Sequence, residues 1–320
     1  MRWILGIASF VFFAFPAFGQ EKYPSKPVRV IVPFAPGGST DIFARLIGER
    51  LSAAFAQPVT IENRSGAGGN IGADAVAKAA PDGYTLLMAT TGVMAINNAL
   101  YKSMTYDAAK DLEPVIFVAS ISNVLAVPAD LPARSVKELV ALAKAKPGSL
   151  TFASSGAGSS THLSAELFKS LTGVEIEHVP FKGSGQALID VIAGRVSMIF
   201  DNMPSALPHI KSGKLRALGV TGPQRSSALA EVPTIAEAGV PGYDSLSWSG
   251  IAAPAGTPKG TIAQLNRAID AILANPDMRA KLAEQGGEAI GGPPERFAAH
   301  VRAEREKWSR LIRERDIVLN

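Results

Sequence analysis

One local pattern occurs twice in this chain and constrains its fold more than any other feature. A β-branched run, Val28 to Pro33, leads into Phe34-Ala35-Pro36-Gly37-Gly38-Ser39-Thr40 and then into a stretch, Asp41 to Phe55, whose Ile42, Leu46, Ile47 and Leu51 form one apolar stripe at helical period. A second run, Leu150 to Ala153, leads into Ser154-Ser155-Gly156-Ala157-Gly158-Ser159-Ser160 and then a helix from Thr161 to Leu171. Each copy is a strand, a glycine turn, a hydroxyl pair and a helix start. Glycine permits positive φ and close backbone approach, and Ser or Thr supplies an N-cap. The product is a set of free backbone N–H groups at the positive end of a helix dipole, which binds anions without a charged side chain. A helix terminus contributes up to ~2 kcal/mol and a hydrogen bond to a charged group ~1.5 to 3 kcal/mol. Micromolar affinity needs roughly 8 kcal/mol, so two opposed termini suffice for one carboxylate and no arginine is required. Taken singly, either loop also reads as an ordinary tight βα turn with a capped helix; the repetition favours the anion reading.

Around these loops the sequence alternates β-branched runs with helical patterns, the signature of an α/β fold. Further strands are expected at Val59 to Glu62, Thr85 to Ala89, Val115 to Val118, Val124 to Val127, Glu175 to Val179, Ser197 to Phe200 and Leu215 to Val220, and further helices at Ile71 to Ala79, Val136 to Ala143, Gln186 to Ile192 and Glu295 to Arg313. Two extended apolar passages, Val115 to Pro128 and Tyr243 to Pro254, read as crossover strands of a hinge. The expected division is a first domain of residues 20–122 plus 247–320 and a second of 123–246. One large sheet with two irregular connections is the alternative.

Arg2, the apolar run Trp3 to Phe15 and the ending Pro16-Ala17-Phe18-Gly19 match a secretory signal, residues 1–19, cleaved after Gly19. The run is too short to span a bilayer. Cysteine is absent, which excludes a lipid-modified N-terminal Cys, thiol catalysis, Fe–S clusters and Cys-ligated zinc. A freely diffusing exported protein is retained only behind an outer membrane, so a Gram-negative periplasm is expected. The formal charge of +4 falls to +3 without Arg2, and the basic residues are scattered, so nucleic acid is not an expected partner.

A third glycine loop, Ser65-Gly66-Ala67-Gly68-Gly69-Asn70-Ile71-Gly72, lacks the dinucleotide spacing because Ile71 stands where a glycine is needed; it reads as a cleft-lining loop or a bare turn. His162, His178, His209 and His300 show no metal pairing, and the chain has neither H-E-x-x-H nor G-x-S-x-G. No cofactor, no metal and no catalytic residue is expected. Asp201 follows the run Met198-Ile199-Phe200 at the C-terminal end of a strand, where α/β proteins place ligands. It either selects the far end of the ligand or bonds local backbone at the next turn.

The runs Pro33 to Asp41, Glu62-Asn63-Arg64, Gly66 to Gly69, Pro180-Phe181-Lys182-Gly183, Asp201-Asn202, Pro208-His209-Ile210, Leu215 to Leu218 and Pro233-Thr234 resemble the Bug family, the receptors of tripartite tricarboxylate transporters. The resemblance covers essentially the whole chain after the leader. It implies a periplasmic-binding-protein fold of two α/β domains joined by crossover strands, a carboxylate gripped between them, a Venus-flytrap closure, and a small and a large permease subunit as partners. The candidate ligand-binding residues are Phe34, Pro36, Gly37, Gly38, Ser39, Thr40, Asp41, Gly68, Thr91, Ser154, Ser155, Gly156, Ser159, Ser160, Thr161, His162 and Asp201. A monomer is expected. An α/β enzyme and a ligand sensor for a membrane signalling protein are the other function classes; missing cofactor and catalytic motifs count against the enzyme.

Overall fold

In the computed structural model, which describes residues 23–314 and 317, strands and helices alternate along most of the chain. The expected leader and its cleavage after Gly19 lie outside the described residues. The order is β1 (Val28–Val32), α1 (Ser39–Phe55), β2 (Val59–Asn63), α2 (Asn70–Ala77), β3 (Thr85–Thr90), α3 (Asn97–Leu100), β4 (Leu112–Pro128), α4 (Val136–Ala145), β5 (Leu150–Ser154), α5 (Ser160–Thr172), β6 (Ile176–Pro180), α6 (Ser184–Ile192), β7 (Met198–Asn202), α7 (Met203–Lys211), β8 (Leu215–Val220), β9 (Leu246–Pro254), α8 (Lys259–Ala274), α9 (Pro276–Glu284), β10 (Gly287–Ala289) and α10 (Pro294–Glu314).

β1 reads as a nearly unbroken apolar run because helices cover the sheet on both faces, the condition that buries parallel strands twice over. It pairs in parallel with β2 and β3; β9 adds antiparallel to β3, and β4 antiparallel to β9. At about 3.3 Å per residue, the 17 residues of β4 span about 55 Å. Its first part pairs with β9 as far as Ser122↔Leu246, and with β10 along Ala119 to Ile121. From Asn123 on it pairs instead with β7 and β8, while β5 and β6 continue the sheet beyond β7. The change of partners at Ser122 and Asn123 divides the sheet into two halves. Each half carries its own apolar packing: Phe43, Leu51 and Leu265 on one face and Phe117, Trp248 and Trp308 on the other face of the first; Phe152, Phe168 and Tyr243, then Leu188, Val191 and Leu207, in the second.

Several boundaries differ from the sequence expectation for physical reasons. The two strands expected around Val115 and Val124 are one, because the residues between them, Ala119 to Asn123, stay extended and keep ladder partners throughout. α1 begins at Ser39, with Gly38 as its N-cap, so the first hydroxyl pair lies inside the helix. In the second loop Ser159 is the N-cap. β7 runs to Asn202, which puts Asp201 inside the strand and fully buried.

Candidate ligand-binding site

The N-termini of α1, α5 and α6 meet at a small cavity between the two half-sheets. The enclosed space is small, about 20 Å³. Phe34, Gly38, Ser39 and Thr40 line it from the first loop, Ser155, Ser159 and Ser160 from the second, and Ser184 from the head of α6. The walls are completed by Thr90, Ile121, Asn202, Ser247, Trp248 and Ser249. First-turn N–H groups have no partner within their own helix, so three positive helix ends with free donors share one space whose lining holds no basic side chain.

The first loop is built from behind. Gly37 adopts φ +86, and Gly38 caps α1 with no side-chain bond. Asp41, in the first turn, accepts from the Gly37 N–H at 3.1 Å, from Arg45 Nε at 3.0 Å and from Asn63 Nδ2 at 3.0 Å. Burial works to raise the Asp41 pKa, but the Arg45, Gly37 and Asn63 hydrogen bonds prevail and hold it below the usual carboxylate value. The second loop is tied by its own hydroxyls. Ser159 Oγ accepts from the His162 N–H at 3.3 Å and donates to the Gly156 carbonyl at 2.6 Å, and Thr161 Oγ1 accepts from the Ser155 N–H at 2.9 Å. Beneath it, Phe152, His178 and His162 stack at 4.7 Å and 4.2 Å between centroids. Burial pushes both histidines down, His162 to about 3 and His178 to about 4, so both rings are neutral at pH 7.

Where the halves meet, side-chain amides and hydroxyls form one connected network. Ser39 Oγ donates to Asn202 Oδ1 at 2.8 Å, and Asn202 Nδ2 donates to Ser247 Oγ at 2.6 Å and to Asn123 Oδ1. Ser247 Oγ lies 2.7 Å from Ser160 Oγ, and Asn123 Nδ2 donates to Ser164 Oγ at 2.9 Å. Asn123 stands where β4 changes partners and Ser247 where β9 begins, so the network joins both crossover strands to the heads of α1 and α5. Further bonds bridge the halves: Ala35 N–H to the Lys182 carbonyl at 3.2 Å, and Tyr101 Oη to the Ala157 carbonyl at 2.7 Å.

The structure therefore brings Phe34, Gly38, Ser39, Thr40, Ser155, Ser159 and Ser160 to the cavity wall, whereas other candidates stand behind it. Pro36 and Gly37 are exposed on the turn, and Asp41 braces that turn. Thr91 accepts the Trp248 N–H at 3.1 Å, and Thr161 ties down Ser155. His162 points under the loop, its Nδ1 accepting from the Gly158 N–H at 3.3 Å. Asp201 receives Ser184 Oγ at 2.5 Å and Ser205 Oγ at 2.6 Å; burial raises its pKa to about 6 against those two hydrogen bonds. Ser154 Oγ sits 2.6 Å from His178 Nε2, the spacing of a nucleophile and its base. Ser154 is fully buried, neither residue lines the cavity, and Ser154 Oγ accepts from the Gly156 N–H at 3.1 Å, which ties the pair to the loop. The sequence reading missed Thr90, Ile121, Ser184, Asn202, Ser247, Trp248 and Ser249. Gly183-Ser184 opening α6 repeats the glycine–hydroxyl–helix signal a third time.

Phe34 and Ser155 also wall a wider vestibule of about 530 Å³, with Gly66 to Gly69, Tyr101, Gly156, Ala157, Pro180 to Lys182 and Gln186 around it. Gly68 and Gly156 belong to this outer space. A separate groove of about 540 Å³ is lined by Ser120, Ser122 and Leu246, neighbours along the crossover strands of the cavity-lining Ile121 and Ser247, and no N-terminus of a long helix points into it.

Residues 43–317 match the family described as tripartite tricarboxylate transporter family receptor. The chain belongs to that receptor family. The receptor is similar to the solved structure of R. palustris Rpa4515 with adipate, 44% identical with a TM-score of 0.91, covering 92% of this chain and 99% of that one. It is similar to periplasmic binding protein BugD at 32% identity and a TM-score of 0.89, covering 92% and 99% of the two chains. MatC (Rpa3494) from Rhodopseudomonas palustris with bound malate is 34% identical with a TM-score of 0.87, over 91% of this chain and 100% of that one. The α/β fold is thus that of a periplasmic binding protein, and the family is one of solute binders rather than enzymes.

Proposed function

We propose that this receptor captures a small organic carboxylate in the cleft between its half-sheets and presents it to the permease subunits of a tripartite tricarboxylate-type transporter. The observation that carries the reading is the convergence of three helix N-termini, drawn from both halves, on one polar cavity without a basic side chain. Such a space suits one carboxylate group and little else. Thr90 Oγ1, which has no hydrogen-bond partner among the described residues, adds a free hydroxyl at the wall. The remainder of the acid extends past Phe34 and Ser155 into the vestibule, where the exposed Lys182 and Gln186 meet its far end. The adipate and malate bound by two relatives are acids of this kind.

In this reading residues 20–122 with 247–320 form one domain and 123–246 the other, and they close about the crossover strands β4 and β9 as a hinged pair. The protein is exported to the periplasm as a monomer, its leader cleaved after Gly19. Thermal denaturation against a panel of mono- and dicarboxylates tests the proposal, with proton NMR of the acid recovered afterwards. At least one acid raises the melting temperature and returns unchanged, since a ligand at 100 times its Kd stabilises by about 2.7 kcal/mol. Conversion of the acid, or a panel without any stabiliser, overturns it.

A further inference from the structure

We propose that Asp201 is a positioning residue that fixes the hydrogen-bond polarity of Ser184, so that the cavity demands a donor there and the receptor prefers carboxylates bearing a 2-hydroxyl group. The inference rests on the receptor reading above and deepens it to a ligand class.

Asp201 is fully buried in β7 and does not touch the cavity. Its two oxygens face the hydroxyls of Ser184 at 2.5 Å and Ser205 at 2.6 Å. An ionised carboxylate only accepts hydrogen bonds, and a serine owns one hydrogen. Ser184 therefore spends its hydrogen on Asp201 and turns lone pairs toward the cavity it lines. Ser39 is constrained in the same way from the other half. Its hydrogen goes to Asn202 Oδ1 at 2.8 Å, and that amide cannot turn over because its NH2 serves Asn123 and Ser247. These acceptors are neighbours: a Cβ at Gly38, beside Ser39, would lie 3.7 Å from Ser184 Cβ.

The cavity thus offers donors from three helix N-termini and acceptors from Ser39 and Ser184. A bare carboxylate satisfies the donors, but its oxygens present only further lone pairs to the two serines. A hydroxyl on the adjoining carbon supplies the missing hydrogen. An ammonium group at that carbon also donates, but it carries positive charge toward three positive helix ends, so the hydroxyl is favoured.

The test compares affinities, by calorimetry at pH 8, for pairs of acids differing only in a 2-hydroxyl: malate against succinate and lactate against propionate. Asp201→Asn alone is not decisive, because its amide can turn toward Ser205, which keeps the Asn202 carbonyl at 2.9 Å for its own hydrogen. Asp201→Asn combined with Ser205→Ala removes that escape and makes the amide donate to Ser184, freeing the Ser184 hydrogen to face the cavity. The wild-type protein is expected to prefer the hydroxylated acid by roughly three- to tenfold, the worth of one neutral hydrogen bond. Ser205→Ala alone keeps the preference, Ser184→Ala reduces it to what Ser39 alone supports, and the double variant reduces or inverts it. Ser184→Ala leaves Asp201 its Ser205 partner and keeps the test decisive if the double variant fails to fold. A wild-type protein with no preference, or a double variant or Ser184→Ala protein that retains it undiminished, overturns the inference while leaving the receptor reading intact. A wild-type protein that binds no carboxylate overturns both.

Discussion

Gly68→Ala separates the cost of folding the receptor from the cost of closing it. Gly68 has φ +63 and ψ 23, and a Cβ there would lie 2.1 Å from the Ala157 carbonyl oxygen and 2.8 Å from Tyr101 Oη. The left-handed conformation costs an alanine roughly 1–2 kcal/mol, and that falls on the loop whether the cleft is open or closed. The clash is different, because Ala157 belongs to the opposite half and its carbonyl is backbone. Restoring contact distance parts the loops by about 1 Å. Two bonds across the gap, Tyr101 Oη to the Ala157 carbonyl at 2.7 Å and Ala35 N–H to the Lys182 carbonyl at 3.2 Å, break at that separation. Their loss costs roughly 1–3 kcal/mol, which is about a 5- to 150-fold weaker affinity. Gly148→Ala is the control: φ is +72 there and nothing lies within 4 Å, so stability falls by a similar amount while affinity stays. Calorimetric titration and thermal melts of both variants decide the matter. A folded Gly68→Ala protein that binds as tightly as the Gly148→Ala protein refutes the closure argument.

Gly38 needs no positive φ, and its nearest neighbour to an added Cβ is Ser184 Cβ at 3.7 Å; Gly38→Ala is expected to bind nearly normally and Gly38→Val more than about tenfold more weakly, by calorimetry. Trp248 lines the cavity and Trp308 does not, so the ligand-induced change in tryptophan emission is expected to survive Trp308→Phe; a titration silent in fluorescence but visible in calorimetry removes Trp248 from the ligand space. His162 and His178 have folded pKa values of about 3 and about 4 against an unfolded value near 6.5, so their contribution to stability is complete above about pH 6.5 and is lost as the pH falls, by up to roughly 1.4 kcal/mol per pH unit each. Asp201, raised to about 6, opposes one of them with the reverse sign. Urea denaturation at pH 7 and pH 5 is expected to show a smaller difference in His178→Phe than in wild type, and an equal difference contradicts the assignment.

Much of the architecture was legible because its signals are local. The β-branched runs, the stripe along α1 and the two glycine loops each sit within a few residues, and the structure places both loops at the cavity. What escaped depends on which way neighbours point. Asp201 drew attention through its place at the C-terminal end of a strand, but strand alternation turns it into the interior and gives the cavity to Asn202. His162 stands in the right turn of α5, and a rotamer carries its ring under the loop instead. Other signals were present and unread. Ser245, Ser247 and Ser249 alternate along the return crossover, a period-two row of small hydroxyls that suits a polar face meeting a ligand; Ser247 and Ser249 line the cavity, and Ser245 joins the network through Ser164. Ser184 follows a glycine at a helix head as in the other two loops, but its strand, Ile176–Pro180, carries the charged and polar Glu177 and His178, and a single hydroxyl stands there in place of a pair. Ser184 bonds a residue 17 positions on, and the partners of Ser245 and Ser247 lie 45 to 124 residues away, so no local pattern announces a network of that kind.

Amide chemical shifts test the central claim most directly. In a proton–nitrogen NMR titration of the protein with a dicarboxylate, the account predicts saturable downfield movement of the amide protons of Ser39, Thr40, Ser160, Thr161 and Ser184 with one-to-one stoichiometry, while Gly148, Gly173 and Gly213, which sit in open turns away from the cleft, stay in place. Perturbations centred instead on the groove at Ser122 and Arg225, or a titration that moves none of the five amides, contradict it.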